Sequence, residues 1–486
     1  MEKSVESVKT KKWPQFLVLI LCNISVLSFG LQTGWLSPLQ PSFMSENSPL
    51  GIPPLTVEEI SWIGSLPSVS LVLASPFFGY CLNKFGRKVT CLIATVPNLL
   101  HYFLLLFTKN VYLIYLARLI GGFCSCGGFI MAPIYINEVT ETHLRGLLGG
   151  LLGFIIKVGI ILSYVLGTYT SYTTLNIISS SFTVFFILCY KWMPESPVYL
   201  LTKNKREEAK MALIKLRGSD QKLIERELLQ MEQLTEGEKT MHTSTYKNLF
   251  RTPETARALI IVCGIYTFQM MCGYPAIVRY SVSIFQSSSS ELSPNVGAIM
   301  VAVSQLVSSL IGANLIDKIG RKSMLMISTF FMGVNLVVFS TYMFGRSYFQ
   351  DLTALRFIPN ITLILFICSY ALGYGSVPFV ILPELFAPEA RAKASTVSNL
   401  WISLIEFLTV KMFPTISEYI GLAPTLLIFA CHCAIGLIFF HFVLFETKGL
   451  EFDEIYNKLK NMNSKRNNLE KEILKPLRYN NDLESK

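Results

Sequence analysis

Long apolar runs alternate with short polar segments along nearly the whole chain. A helix needs roughly 20 apolar residues to cross a lipid bilayer, and twelve runs reach that length. The predicted spans are 15–36, 58–80, 89–107, 111–136, 147–167, 173–192, 257–285, 295–316, 323–343, 358–382, 395–417 and 423–444. This pattern predicts an all-α membrane protein with twelve transmembrane helices.

A short basic sequence occurs twice. Residues 83–88 read NKFGRK and residues 317–322 read DKIGRK, each between two predicted spans. The two copies lie about half a chain length apart, as expected when a bundle of about six helices has been duplicated. We therefore predict two pseudo-symmetric six-helix bundles.

The polar segments outside the spans complete the predicted organisation. We expect a cytoplasmic amino terminus over 1–14, a first bundle over 15–192 and a second over 257–444. The segment 193–256 is predicted to be a cytoplasmic linker with intracellular helices, because 204–232 carries charges on most turns. In the cytoplasmic tail, 445–486, a short helix near 452–459 is expected before a polar, disordered end.

Composition and charge agree with a membrane location. Hydrophobic residues make up 51% of the 486 residues and charged residues only 15%, against about 25% charged in soluble proteins. The net charge of +10 comes from bases gathered in short loops beside apolar runs. That distribution is typical of membrane topology and argues against a nucleic-acid partner.

The distribution of bases also predicts the orientation. No Lys or Arg occurs between Ser37 and Trp62, whereas the amino terminus and the loop over 83–88 are basic. Because positive loops stay inside, both termini and both repeats are expected in the cytoplasm. Without an obvious retention signal, the plasma membrane is the default location.

The sequence shows no clear metal site and no clear catalytic nucleophile. The eleven cysteines lie in or beside apolar runs, and Cys431 and Cys433 flank His432 on a predicted helix, where neighbours point in different directions. We predict no metal, no cofactor and no enzymatic activity, since no nucleophile and base pair is visible. The expected partners are lipid and a small molecule, with a monomer as the default state.

Several motifs occur in the order that a known family shows. They are Arg118 with glycines 121 and 122, PIYINE over 133–138, RG over 145–146, PESP over 194–197, ELF over 384–386 with Arg391, and ETKG over 446–449. From about residue 15 to 455 the chain resembles the sugar porter family of the major facilitator superfamily. WIGSL over 62–66 and GW over 34–35 resemble insect facilitated trehalose transporter-like proteins. The resemblance implies the major facilitator fold and facilitative, alternating-access transport of a sugar such as trehalose or glucose.

Charged residues at the predicted cytoplasmic ends of spans form a candidate gate. The carboxylates are Glu138, Glu195, Asp317 and Glu384, and the bases are Arg87, Lys88, Arg145, Arg321, Lys322 and Arg391. Such charges can pair when that side closes and become solvated when it opens, at about 0–1 kcal/mol for each exposed pair. The alternative is that they act only as topology signals and helix ends.

The resemblance implies a sugar site near the membrane midplane. Gln269 and Gln305 match sugar-contacting amides of the family, and Phe379 stands at a pocket-wall position. Other family polar positions are replaced, by Gly153, Met270, Pro275, Arg279, Ala371, Ile402 and Ser403. Both glutamines could instead join helices to each other, and the role of Trp401 stays open.

Two charges lie mid-way along predicted spans. Lys157 is in the fifth and Glu406 in the eleventh, and an unpaired charge there costs at least about 2.5–3.5 kcal/mol. They could pair across the central cavity, or Lys157 could contact an acidic or heavily hydroxylated substrate. The alternatives are snorkelling or pairing within one bundle. We expect Arg279 to snorkel at the outer end of its helix.

A neutral residue occupies a position that matters for coupling. Proton-linked members of the family carry Asp just after Phe-Gly in the first span, where this chain has Gln32. The resemblance therefore implies uncoupled transport, with Gln32 near Arg118 and among the candidate substrate contacts. Two other functions stay open: a carrier of a different small organic solute, and a transporter-like sensor that binds without net flux.

Overall fold

The structure is a computed structural model of the 486-residue chain. It describes residues 12–461 except 219, 241–245, 289 and 349–352. Within the described helices, the side chains of 12, 142–150, 237–240, 246–248, 313, 317, 347 and 353 are not described. Arg145 and Asp317, both predicted gate residues, therefore lie outside the described side chains.

The described part of the chain is helical. Its helices are α1 Lys12–Gly34, α2 Leu36–Phe43, α3 Val57–Phe85, α4 Arg87–Thr95, α5 Pro97–Phe107, α6 Val111–Val139, α7 Thr142–Tyr169, α8 Tyr172–Cys189, α9 Pro197–Thr202, α10 Arg206–Arg217, α11 Gln221–Thr240, α12 Tyr246–Arg251, α13 Pro253–Met271, α14 Tyr274–Arg279, α15 Ser281–Ser288, α16 Pro294–Ile319, α17 Arg321–Tyr348, α18 Ile358–Leu372, α19 Val377–Leu385, α20 Pro388–Ile420 and α21 Leu422–Phe442. Short 3-10 turns cover Tyr190–Trp192 and Thr353–Leu355.

Twelve helical segments are long and apolar enough to cross a membrane, which confirms the twelve predicted spans. We call the first six spans, α1 to α8, the N-half, and the last six, α13 to α21, the C-half. The end of the molecule that carries both basic repeats is the motif end, and the other is the opposite end.

Local sequence explains where several spans begin. Thr56 accepts a hydrogen bond from the backbone N–H of Glu59, whose carboxylate accepts one from the N–H of Thr56, so a capping box starts α3. The side chains of Asn110 and Ser171 each accept one backbone N–H and so cap the first turns of α6 and α8.

Two spans of the C-half are broken near their middle. The seventh span runs as α13, α14 and α15, with Gly273 in the left-handed region at φ +91° between the first two, and glycine takes that conformation without steric cost. The tenth span breaks between α18 and α19, around Gly373. Broken helices free backbone groups at membrane depth, and transporters often place binding sites there. The predicted continuous spans 257–285 and 358–382 did not include these breaks.

The buried core is divided unequally between the two ends. One large apolar cluster contains most of the C-half core together with opposite-end residues of the N-half such as Leu36, Ile63 and Tyr164. A second cluster contains motif-end residues of the N-half, including Leu82 and Tyr135. The halves thus share a core at the opposite end, while the N-half has its own core at the motif end.

The linker forms a small helical layer at the motif end. α9, α10 and α11 bury their own cluster, which includes Leu213 and Leu228. Arg217 attaches this layer to the N-half, because it donates to the backbone oxygen of Val139 at 2.9 Å and pairs with Glu227 at 2.8 Å. A further helix covers 452–461, where a short tail helix is predicted; the predicted disordered end lies outside the described residues.

Candidate functional site

The break in each of the two interrupted spans lies next to Gln269. The side-chain Nε2 of this buried residue donates to the backbone oxygen of Tyr374 at 2.8 Å and to the hydroxyl of Tyr370 at 3.2 Å. Its Oε1 is buried and has no described partner. Gln269 therefore joins the seventh span to the tenth and retains one open acceptor.

Gln305 meets the same group of tyrosines. Its Nε2 donates to the hydroxyl of Tyr274 at 2.6 Å, and the ring of Tyr274 stacks on Tyr370 with centroids 3.5 Å apart and an angle of 5°. The structure thus brings both predicted amides to one stack of tyrosines. Sequence reasoning missed these tyrosines, although the spacing of Tyr370 and Tyr374 places them on one helix face.

A buried ion pair lies beside this group, between Arg279 and Glu406. The guanidinium Nη2 of Arg279 is 2.6 Å from Oε1 of Glu406. The side chain of Arg279 is 6% exposed and that of Glu406 is 23% exposed. The expected snorkelling of Arg279 is not found: the helix break turns the residue into the protein, where a carboxylate compensates its charge.

Lys157 is not the partner of Glu406. Its Nζ donates to the backbone oxygen of Gly153, one turn earlier in the same helix, at 3.0 Å, and it has no ion-pair partner among the described residues. Glu406 already pairs with Arg279, so pairing across the cavity with Lys157 is replaced by pairing within the C-half. Lys157 is half-buried and remains open to a ligand.

Gln32 and Arg118 lie together in the N-half, near the opposite end. Arg118 is fully buried and donates to the backbone oxygens of Ile63 at 3.1 Å and Gln32 at 3.2 Å. The side chain of Gln32 donates to Oδ1 of Asn98 at 3.1 Å, and its own Oε1 has no described partner. Main-chain carbonyls and the ring of Trp35, 4.8 Å away, stabilise the guanidinium, so no carboxylate is used here.

The aromatic candidates take different positions. Phe379 is 56% exposed, which fits a residue on a cavity wall or against lipid. Trp401 donates from Nε1 to the hydroxyl of Thr267 at 2.9 Å and so connects the eleventh span to the seventh.

At the motif end of the N-half, the predicted gate charges bind each other. Arg87 and Glu138 form a two-bond ion pair at 2.5 and 2.7 Å. Glu195 accepts from the backbone N–H groups of Arg87 at 2.9 Å and Lys88 at 3.2 Å, capping α4. The ammonium of Lys88 donates to the backbone oxygen of Lys191 at 3.3 Å.

The C-half repeats this arrangement. Arg321 pairs with Glu384 at 3.0 Å, and Glu446 accepts from the N–H groups of Arg321 at 2.7 Å and Lys322 at 3.0 Å. Arg391 donates to the backbone oxygen of Phe386 at 2.9 Å. Glu446 was not among the predicted gate residues, although it begins the ETKG motif; its equivalence to Glu195 becomes visible only in three dimensions.

Both capping carboxylates lie against a glycine. Gly86 and Gly320 have φ of +89° and +100°, a region that glycine adopts readily. A Cβ on either glycine would meet a carboxylate oxygen, that of Glu195 or of Glu446. The repeated glycine therefore lets each carboxylate approach the first turn of the following helix.

The charge pairs described at the motif end join spans of one half. They do not bridge the halves, which differs from the predicted gate, because each base lies beside the acid of its own bundle. Whether these residues gate transport stays a prediction.

Among the described residues, four hydrogen bonds join the halves at the opposite end. Tyr164 donates to the backbone oxygen of Val278 and lies 3.4 Å from the hydroxyl of Ser281. The hydroxyl of Ser37 accepts from the N–H of Val282 at 3.2 Å.

The fourth bond joins the second and eleventh spans. Lys411 donates to the hydroxyl of Ser61 at 2.6 Å. Its ammonium also lies 4.3 Å from the ring centre of Trp62, and that ring contacts Phe407. The opposite end is thus closed by neutral hydrogen bonds, aromatic contacts and one lysine.

Comparison with known proteins decides the family. The sequence profile described as "Sugar (and other) transporter" matches residues 53–459. The chain belongs to the sugar (and other) transporter family. It is therefore a multi-pass membrane transporter, and the sequence resemblance to that family is confirmed.

Individual relatives support the same family assignment. The chain is 29% identical over 461 residues to the facilitated trehalose transporter Tret1 of Bombyx mori, covering 95% of this chain and 90% of that protein. It is 27% identical to the protein of the same name from Drosophila virilis, covering 96% of this chain but only 51% of the relative.

Solved structures show the same fold. The xylose transporter XylE from E. coli in an inward open conformation matches with a TM-score of 0.73 at 19% identity, over 91% of this transporter and 99% of that chain. The proton:xylose symporter XylE bound to 6-bromo-6-deoxy-D-glucose matches with a TM-score of 0.68 at 20% identity, covering 92% and 99%. The major facilitator fold predicted from the sequence is thereby confirmed.

Proposed function

We propose that this transporter is a facilitative, uncoupled carrier of a sugar such as trehalose or glucose. The observation that carries the proposal is the unequal contact between the halves: four hydrogen bonds join them at the opposite end. An alternating-access carrier needs contacts of this kind, because they must break and reform in each cycle.

The membrane orientation follows from the charges. The motif end carries the two basic repeats, and positive loops are retained in the cytoplasm, so we place the motif end and both termini inside the cell and the protein in the plasma membrane. The described state is then closed toward the outside. The gate residues of the motif end would hold each half rigid as the halves rock against one another.

Uncoupled transport is supported by the surroundings of Arg118. Its described hydrogen bonds go to the backbone oxygens of Ile63 and Gln32. Neither a carbonyl nor the neutral amide of Gln32 takes up or releases a proton near neutral pH. A proton gradient therefore has no carboxylate beside Arg118 through which to act.

The sugar would bind beside the tyrosine stack. Gln269 offers an open acceptor, Glu406 a partly exposed carboxylate and Lys157 a donor, while Phe379 and the stacked rings of Tyr274 and Tyr370 supply apolar faces. A polyol needs such a mixture of donors, acceptors and flat apolar surface to replace its water.

One observation favours a different small organic solute. Both N–H groups of Gln269 and one of the two on Gln305 are already used, since they donate to Tyr370, Tyr374 and Tyr274. A neutral hexose would therefore find fewer free donors than the family pattern implies, while the charged Arg279 and Glu406 lie near the tyrosine stack.

The experiment is uptake of labelled trehalose and glucose by oocytes, with surface expression verified by biotinylation. We expect saturable uptake that the unlabelled sugar competes away, that falls severalfold in Gln269→Ala and that is unchanged when a proton gradient is imposed. Uptake that scales with the gradient would contradict the uncoupled mechanism, and no uptake of either sugar would contradict the sugar assignment.

A further inference from the structure

The charged side chains deep within the described spans are mostly basic. Arg118, Lys157, Arg279 and Lys411 lie away from the ends of their spans, and Glu406 is the acid among them. An intramembrane charge is costly unless it is paired or hydrated. The contacts of each base should therefore show which groups compensate its positive charge.

Two of these bases are held by contacts of the closed opposite end. Arg118 donates to two backbone oxygens and lies against the ring of Trp35, although its Nη1 is buried without a described partner. Lys411 donates to the hydroxyl of Ser61 and lies against the ring of Trp62. Both belong to the closed opposite end of the molecule.

The other two bases lie outside those contacts and also keep open donors. Arg279 is 5% exposed, and its Nε and Nη1 are buried without a described partner, although Nη2 pairs with Glu406. Buried donors of a charged group usually have a hydrogen-bond partner, since a buried donor without one loses the bond that water would give it. Lys157 donates only to the backbone oxygen of Gly153.

The two bases lie in opposite halves, and the contacts that close the opposite end show how deep each one is. Lys157 is seven residues before Tyr164, about 10 Å along the same helix. Tyr164 donates to Val278, the residue preceding Arg279. Glu406 is four residues before Val410, which accepts from Tyr280, or about 6 Å along its helix. Arg279 is thus level with the contacts that close the opposite end, while Glu406 and Lys157 lie about 6 and 10 Å below them, toward the motif end.

The unpartnered donors of Arg279 and Lys157 indicate the chemical class of the ligand. Guanidinium and ammonium groups only donate, and carboxylates are the acceptors that they bind most strongly. A cavity with excess positive charge also concentrates anions. We propose that the transporter selects a hydroxylated organic anion, namely a sugar that carries a carboxylate, whose anionic group binds between Lys157 and Arg279.

This inference rests on the proposed sugar transport and narrows its substrate class. The hydroxyl groups of such a substrate would use the acceptor of Gln269 and the partly exposed carboxylate of Glu406, while its carboxylate would satisfy the open donors. A sugar of similar size that carries an ammonium group in place of the carboxylate would be repelled by Lys157.

The test is uptake of three labelled hexoses that differ mainly in charge: glucuronate, glucose and glucosamine. In oocytes at neutral pH, we expect half-saturation for glucuronate at a concentration roughly tenfold or more below that for glucose, as a charge-assisted hydrogen bond would provide. Glucosamine should neither enter nor compete.

Three variants localise the effect. Lys157→Met should remove the preference for glucuronate over glucose, and Lys157→Arg should restore it. Lys411→Met, which removes a base that belongs to the closing contacts of the opposite end, should alter uptake of both sugars by the same factor. Surface biotinylation controls for expression in each case.

The outcomes separate the two proposals. If glucose is transported while glucuronate neither enters nor competes, the inference is overturned and sugar transport stands. If glucuronate is preferred but Lys157→Met keeps that preference, the assignment to Lys157 is overturned. If the wild type moves none of the three hexoses, both proposals fail.

Discussion

The two ends of the molecule are held together by different chemistry. At the motif end, charged residues form pairs such as Arg87 with Glu138 and Arg321 with Glu384, each within one half. At the opposite end, hydroxyl and backbone groups of Tyr164 and Ser37 join the halves to each other. The ion pairs therefore stiffen each half, whereas mostly neutral hydrogen bonds, together with that of Lys411, hold the halves closed.

This difference suits a carrier. A neutral hydrogen bond contributes about 0.5–1.5 kcal/mol and one to a charged group about 1.5–3 kcal/mol, so three neutral bonds and that of Lys411 can break without a large barrier between states. Had the charge pairs bridged the halves, each opening would separate opposite charges. The comparison predicts that changes at the opposite end alter the balance of states, whereas changes at the motif end alter the stability of a half.

The largest effect is expected at Gly64. A side chain there would meet the hydroxyl of Tyr280, and Leu36 at 3.0 Å, so Gly64→Leu should prevent closure of the opposite end. Uptake should fall by roughly 100-fold, because a cycle that cannot close one side cannot deliver substrate to the other. Gly79→Leu is the matched control on the same helix, since nothing lies within 4 Å of its Cβ position; similar losses in both variants would contradict the prediction.

The next effect concerns the charge pairs. Glu138→Gln and Glu384→Gln each remove a partly buried partner of an arginine and should lower stability by about 1–3 kcal/mol. Thermal unfolding of purified protein in detergent measures it. Because the two pairs lie in different halves, the double variant should show the sum of the two losses to within about 0.5 kcal/mol. Strong coupling between them would indicate a gate that spans the halves.

A smaller effect is expected from Tyr164→Phe. Loss of its hydroxyl removes the bond to Val278 and should weaken closure by about 0.5–1.5 kcal/mol, a shift of roughly 2- to 10-fold in the ratio of states. Distance distributions between spin labels on the two halves report that ratio. Tyr172→Phe is the control, because its hydroxyl donates to Leu105 within the N-half; it should leave the ratio unchanged.

The smallest effect is a pH dependence at Glu195. Burial raises the pKa of this carboxyl, against the opposing hydrogen bonds from the backbone N–H groups of Ser196, Lys88 and Arg87. A group with a raised pKa in the folded state gives stability below its unfolded pKa and loses it as the pH rises through the folded pKa. The wild type should therefore gain stability relative to Glu195→Gln when the pH is lowered from neutral toward the ordinary carboxyl range. An opposite trend in thermal unfolding would contradict it.

The fold could be predicted largely from the sequence. Twelve apolar runs and the duplicated basic sequence determine the spans and the halves, because bilayer thickness and loop charge act on local sequence. The breaks near Gly273 and Gly373 were not predicted, since a glycine inside an apolar run does not reveal whether its neighbours continue the helix.

The site was less predictable. Gln269 and Gln305 match the family and do lie together, but their tyrosine partners come from other spans. The pair of Arg279 and Glu406 was missed because the residues are far apart in sequence and because Arg279 was assigned to a helix end. Such pairings depend on how the helices rotate against each other, which a single sequence does not encode locally.

One measurement tests most directly that the opposite end opens and closes. Spin labels would replace the exposed Tyr112 and Tyr419 at the opposite end, and in a second protein the exposed Lys84 and Lys318 at the motif end. Both proteins would carry Cys431→Ser, because Cys431 is the exposed thiol.

Pulsed electron resonance would then compare each protein with and without Gly64→Leu. Alternating access predicts that this substitution lengthens the distance at the opposite end and shortens the distance at the motif end. Unchanged distances at both ends, with uptake still lost, would contradict the claim that contacts at the opposite end control access.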